Sequence, residues 1–142
     1  MSFKTDHDIA ELTHRFTDRT LPKSDWTHAA HFAVALSLLK VRGNAAYADM
    51  PPLIRAYNEA TGVANTDTEG YHETITIASI RAAEACLGAA PNGQALHLVL
   101  ADLLAGVFGR SDWLLVHWSK DRLFSPEARR TWHEPDITPL PF

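Results

Sequence analysis

His28 and His31 stand three residues apart where an almost wholly apolar segment begins. The run is Trp26-Thr27-His28-Ala29-Ala30-His31, then Phe32-Ala33-Val34-Ala35-Leu36-Ser37-Leu38-Leu39. Residues three apart share a helix face, which puts the two imidazoles side by side. A second segment, Gly70-Tyr71-His72-Glu73-Thr74-Ile75-Thr76, opens on His72 in the same way. If two helices pack with these ends adjacent, three imidazoles, the Thr76 hydroxyl and the Glu73 carboxylate converge on one polar pocket in an apolar interior.

Three chemistries suit such a pocket. Histidines three or four apart on one helix can donate nitrogens to a single ion, and a second helix can complete the shell. His28, His31 and His72 are then metal ligands, and imidazole donors with a carboxylate select zinc or iron over magnesium. A metal held this way lowers the pKa of bound water for hydrolysis, and Glu73 is the group to accept its proton. The pattern is not that of a zincin, because H-x-x-H lacks the glutamate of H-E-x-x-H. Paired E-x-x-H motifs of di-iron bundles are absent too. The second chemistry needs no metal: a neutral imidazole is a general base near pH 7, with Glu73 orienting it. The third reading is structural, with each ring hydrogen-bonded inside the core.

Other residues have weaker claims. Trp26 precedes the histidines, and Tyr71 and Thr76 flank His72, so all three are expected to line the pocket for a small-molecule ligand. Asn65, Thr66, Asp67 and Thr68 lead into Tyr71, either as a rim or lid or as simple turn chemistry. Trp113 and Trp118 read as core anchors or as an aromatic wall. Arg122, Arg129 and Arg130 can meet an anion near the helix start at Ser125, although solvated surface charge is the plainer reading. Cys86 lies within an apolar helix without a partner and reads as a buried, inert thiol.

The elements that must position these groups follow from caps and breakers. Thr5 or Asp6 caps a first helix running to about Asp18, which Leu21-Pro22 ends. The second helix spans about 26 to 42 and stops at Gly43. It is apolar nearly all round and so belongs at the centre. Pro51-Pro52 suits the start of a third helix, about 52 to 60. The fourth runs from Tyr71 to about Leu87 and the fifth over about 94 to 107. A short helix from Trp113 to Trp118 and another from Ser125-Pro126-Glu127 to about Trp132 follow. Residues 134–142, with three prolines, are expected to lie extended over the surface or to be disordered. No stretch alternates as a strand does. The expected fold is all-α: one domain over residues 1–142, a compact bundle of five main helices plus one or two short C-terminal ones.

Composition sets outer bounds. A chain of 142 residues with 46% apolar and 21% charged residues can bury one core. A net charge of −4 argues against nucleic acid as a partner. No apolar run reaches membrane-spanning length, and the N-terminus lacks the apolar centre of a signal peptide. A single cysteine excludes an internal disulfide and fits a reducing, cytoplasmic setting. Of the eight histidines, five (His7, His14, His97, His117 and His133) are scattered among charged or loop neighbours.

Four strings in this order, Trp26-Thr27-His28-Ala29-Ala30-His31, Tyr57-Asn58-Glu59-Ala60, Gly70-Tyr71-His72-Glu73-Thr74-Ile75-Thr76 and Leu123-Phe124-Ser125-Pro126-Glu127-Ala128-Arg129, resemble a family of small bacterial proteins without an assigned activity. The likeness spans about residues 20 to 138. It implies that His28, His31 and His72 belong to one recurrent pattern and adds no reaction. Two functions follow as expectations. One is a small-molecule-binding protein or enzyme, metal-assisted or not, performing hydrolysis or proton transfer. The other is a non-catalytic helical interaction or scaffold protein, a homodimer among its forms, with structural histidines.

Overall fold

Helix α1, Asp6–Thr17, begins with a reciprocal cap. The Thr5 hydroxyl accepts from the Asp8 amide, and the Asp8 carboxylate accepts from the Thr5 amide. Its inward stripe of Ile9, Leu12 and Phe16 is buried, while charged residues occupy the outer face. This amphipathic pattern fits a peripheral helix. The computed structural model describes residues 2–142, and among them there is no β-strand.

Helix α2, His28–Arg42, is the opposite case. Thr27 caps it by accepting from the Ala30 amide, and Gly43 closes it at φ +58°. Ala30, Phe32 to Leu36, Leu38 and Leu39 are all buried. Such a helix needs neighbours on every side, and α2 packs against α1, α3 (Ala46–Ala60), α4 (Glu73–Ala89) and α5 (Leu96–Ala105). Truncating Leu36, which is fully buried, to alanine costs about 2–5 kcal/mol by the usual cavity rule.

Three elements differ from the sequence expectation for physical reasons. Helix α3 starts at Ala46, not at Pro52, and carries Pro51 and Pro52 inside it. Two backbone bonds are lost there, and burial of Ala46, Met50 and Pro51 against the core offsets them. Helix α4 starts at Glu73, because His72 is extended and acts as its cap. The expected helix at Trp113 is a single 3-10 turn, Trp113–Val116, and a further short helix α6, Lys120–Leu123, follows behind a Ser119 cap. Helix α7, Pro126–Arg130, has the expected Ser125 cap and N-terminal proline.

The C-terminal segment has no regular structure but is tied down. The Trp118 indole, fully buried, donates to the His133 carbonyl at 2.9 Å. The Ser119 hydroxyl donates to Asp136 at 2.7 Å, and the Ile137 amide to the His117 carbonyl at 2.9 Å. Arg81 reaches the Phe142 carbonyl at 2.6 Å. Among the described residues, no helix is long and apolar enough to cross a membrane.

Candidate ligand cleft

Direct packing of α2 on α4 brings the two histidine-bearing ends together. A cleft of about 370 Å³ opens there, lined by Trp26 and His31, by Met50, Ile54 and Asn58 of α3, and by Val63. Gly70, Tyr71, His72, Ile75, Thr76, Ser79 and Arg129 complete its wall. A second cavity of about 390 Å³ adjoins it and contains His28, Phe32, Trp113, Leu114, Leu123 and Phe124. His31, Ile75 and Ser79 line both.

The three expected histidines have different jobs. The carbonyl of Thr27 lies 2.8 Å from Nδ1 of His31 and can only accept, so Nδ1 carries the proton. Nε2 of His31 is thereby an unprotonated acceptor. It makes no hydrogen bond to the described residues, and His31 keeps accessible surface toward the cleft. Burial drives the pKa of His31 down to about 4; nearby His28 pushes the same way, and the Thr27 carbonyl opposes both. At neutral pH this ring is therefore uncharged. Trp26 holds its plane, with ring centroids 3.8 Å apart, and Trp26 in turn stacks on Phe16 at 4.4 Å.

His72 is committed to structure at both nitrogens. Nδ1 accepts from the Ile75 amide at 3.1 Å, capping α4, and Nε2 donates to the Leu123 carbonyl at 2.6 Å. Only the neutral Nε2-protonated ring can make both bonds. Burial lowers its pKa, and the charge of Arg129 adds to the effect. His28 donates from Nε2 to the Phe108 carbonyl at 2.7 Å and faces the second cavity, not the cleft.

The expected metal centre of His28, His31 and His72 is not assembled. Among the described residues, no group of three or more His, Cys, Asp or Glu side chains is placed to hold a metal ion, zinc and iron included. The reason lies in the backbone partners: His72 commits one nitrogen as acceptor to the Ile75 amide and the other as donor to the distant Leu123 carbonyl, and His28 turns to Phe108. Glu73 also departs from its expected catalytic place. It does not line the cleft, and its carboxylate accepts from the Tyr71 hydroxyl. Burial, then the bond to Glu73 and its charge, holds the Tyr71 phenol well above its ordinary pKa. Arg55 covers the ring of Tyr71 with its guanidinium 4.2 Å from the centroid. Trp26, His31, Tyr71, His72 and Thr76 line the cleft.

Arg129 is the residue whose place the sequence misrepresents. Its two neighbours in sequence type behave as surface charge: Arg130 pairs with Asp67, and Arg122 reaches the Glu134 carbonyl at 2.7 Å. Arg129 instead lines the cleft, and its Nη1 donates to the Gly70 carbonyl at 3.0 Å. Thr74 sets its position. That hydroxyl, fully buried, lies 2.7 Å from the Ala128 carbonyl and 2.9 Å from that of Thr131, pinning α7 to α4. Asn65 organises the approach to Tyr71: its Oδ1 accepts from the Tyr71 amide and from Asn58 at 3.0 Å, and its Nδ2 donates to the Arg55 carbonyl at 3.1 Å. The segment before His72 is thus a fixed rim.

Trp118 is a core anchor, Trp113 is buried and also lines the second cavity, and burial raises the pKa of the Cys86 thiol above its usual value. Neither protein-family models, nor curated proteins, nor solved structures yield a match to this chain.

Proposed function

We propose that this chain binds a small organic molecule in the cleft, with Nε2 of His31 accepting a hydrogen bond from it. The observation that carries this reading is the free, unprotonated Nε2 on a ring whose other nitrogen and plane are both fixed. A group held so firmly loses little entropy when a ligand engages it. The cleft volume of about 370 Å³ falls at the small end of ligand sites, and its walls are largely apolar with a few polar groups.

Magnitudes favour binding over proton-transfer catalysis. A general base works best with a pKa near the working pH. A ring at about 4 is a weak base at neutral pH but remains a sound hydrogen-bond acceptor. The reading is therefore a ligand-binding protein, in which an enzymatic step would need the ligand to raise the pKa of His31. The structural alternative keeps support at His72, where both ring nitrogens bond to the backbone.

A thermal-shift screen of small hydroxyl- and amide-bearing metabolites on the parent chain and on His31→Phe tests this. Ligand at about 100 times its Kd stabilises a fold by about 2.7 kcal/mol, well within reach of the method. Compounds that stabilise the parent chain should lose the effect in His31→Phe. Equal shifts in both would remove His31 from the site, and the absence of any stabilising compound would leave the scaffold reading in place.

A further inference from the structure

Resting on that reading, we infer that the ligand is a small hydroxy-monocarboxylate with an apolar body, its carboxylate held by the guanidinium of Arg129 and its hydroxyl donating to Nε2 of His31. Arg129 is the one permanently charged side chain in the cleft lining. Its Nε is fully buried and has no hydrogen-bond partner. Nη1 is engaged by the Gly70 and Tyr71 carbonyls, and Nη2 bonds to none of the described residues. A half-buried guanidinium that satisfies only part of its fork is an incomplete arrangement, since buried charge is normally paired.

Among the described residues, no carboxylate completes it. Arg129 takes part in none of the ion pairs among the described residues. Asp67 pairs with Arg130, the next residue, and Glu73 accepts from Tyr71. The neighbouring rings do not help either, because His31 and His72 are neutral and bring no negative charge. A ligand with one negative charge balances one cation, and a guanidinium fork matches a carboxylate in shape and charge. A phosphate dianion would bring a second charge into walls formed by Met50, Ile54, Val63 and Ile75 with no second cation to meet it. Those same walls suit a hydrocarbon or aromatic body.

The test uses sodium 2-hydroxyhexanoate, 2-hydroxyoctanoate and 3-phenyllactate beside their primary amides, titrated into the full chain at pH 7, so that acid and amide alike carry a hydroxyl donor for His31. Binding is read from amide and indole shifts at Gly70, Tyr71 and Trp26. The acids are expected to bind at the cleft at least tenfold more tightly than the amides. Arg129→Gln should abolish that preference, and Arg129→Lys should keep part of it. Arg129 also braces the rim, so Arg129→Gln can fail to fold; the acid-to-amide ratio of the parent chain and the Arg129→Lys variant then decide. Amides that bind as well as acids would overturn the carboxylate assignment while leaving the cleft reading intact. An acid preference that survives undiminished in Arg129→Gln would overturn the role of Arg129. Failure of every acid and amide to shift the cleft resonances would overturn both.

Discussion

Nδ1 of His31 sits 2.8 Å from the carbonyl of Thr27, one helical turn earlier, and this single contact decides which nitrogen of His31 is free. The same carbonyl also accepts the His31 amide at 3.1 Å. Thr27 therefore caps α2 with its hydroxyl and orients the imidazole with its carbonyl. The open acceptor that His31 offers the cleft is a by-product of how the helix begins.

That arrangement makes stability depend on pH in a defined direction. A histidine in the unfolded chain titrates near 6.5, whereas folded His31 titrates at about 4. Between these values the unfolded chain takes up a proton that the folded one refuses, so unfolding is favoured as pH falls. The stability tied to neutral His31 is fully present above pH 6.5 and is lost progressively down to about pH 4, below which it levels off. The span corresponds to about 3 kcal/mol. Burial depresses His72 as well, in the same direction. Urea unfolding at pH 7.5 and 4.5 should show a larger acid loss in the parent chain than in His31→Phe. Carboxylate protonation is common to both and cancels in the difference. Identical losses would contradict a depressed pKa at His31.

His72 gives a graded stability test. His72→Ala removes the α4 cap and the bond to Leu123 together and leaves a buried carbonyl unsatisfied. The expected cost is about 1–3 kcal/mol. His72→Asn offers a short side-chain oxygen to the Ile75 amide and should recover the capping share alone. Chemical denaturation that ranks Asn above Ala, with both below the parent, fits this division. Equal stability for Ala and the parent would sink the structural role.

Legibility of the site in the sequence divides along a physical line. Short-range signals were sufficient for α1 and α7, whose caps Thr5 and Ser125 are readable, and for the body of α2 up to Gly43. The apolar circumference of α2 placed it at the centre, and its adjacency to α4 brought His31, Tyr71, His72 and Thr76 to one cleft. Long-range partners were not legible. Nothing local to His72 shows that Leu123 will take its Nε2, nor that Phe108 will take that of His28. The metal expectation failed on those two carbonyls. Arg129 stands beside Arg130 in the sequence, and the partners that turn it inward, the Thr74 hydroxyl on α7 and the Gly70 and Tyr71 carbonyls on its guanidinium, are far away in sequence. The signal in the sequence is the lone small apolar residue, Ala128, between Glu127 and the two arginines, which marks an inner face of the short helix beside Arg129; the structure buries Ala128 and exposes Arg130. Pro51-Pro52 misled for the opposite reason, since a local rule gave way to tertiary burial.

Tyr71 and Glu73 support a spectroscopic prediction. The phenol is held high first by burial and then by the bond and charge of Glu73. Glu73→Gln removes the charge but not the burial. The Tyr71 titration should therefore move down toward the ordinary tyrosine range without reaching it. Ring-labelled tyrosine NMR across alkaline pH reads this directly. No movement would show that Glu73 does not hold the hydroxyl, and would reopen a place for its carboxylate in the cleft.

Gly70 links backbone geometry to the cleft. It sits at φ +80°, a conformation that disfavours any side chain, and an added Cβ would collide with the Ala64 carbonyl and Asn65. Its own carbonyl receives Nη1 of Arg129 at 3.0 Å. Gly70→Ala should cost about 1–3 kcal/mol through backbone strain and the forced shift of the rim. Its second effect separates this from ordinary destabilisation. At temperatures where the variant is still fully folded, carboxylate binding should weaken more than amide binding, because the displaced carbonyl no longer positions the guanidinium. Gly62, also at positive φ but with nothing within 4 Å of an added Cβ, is the control. Gly62→Ala should lose stability from φ alone and leave the acid-to-amide ratio unchanged. A ratio that falls equally in both variants would mean that Gly70 acts only on stability.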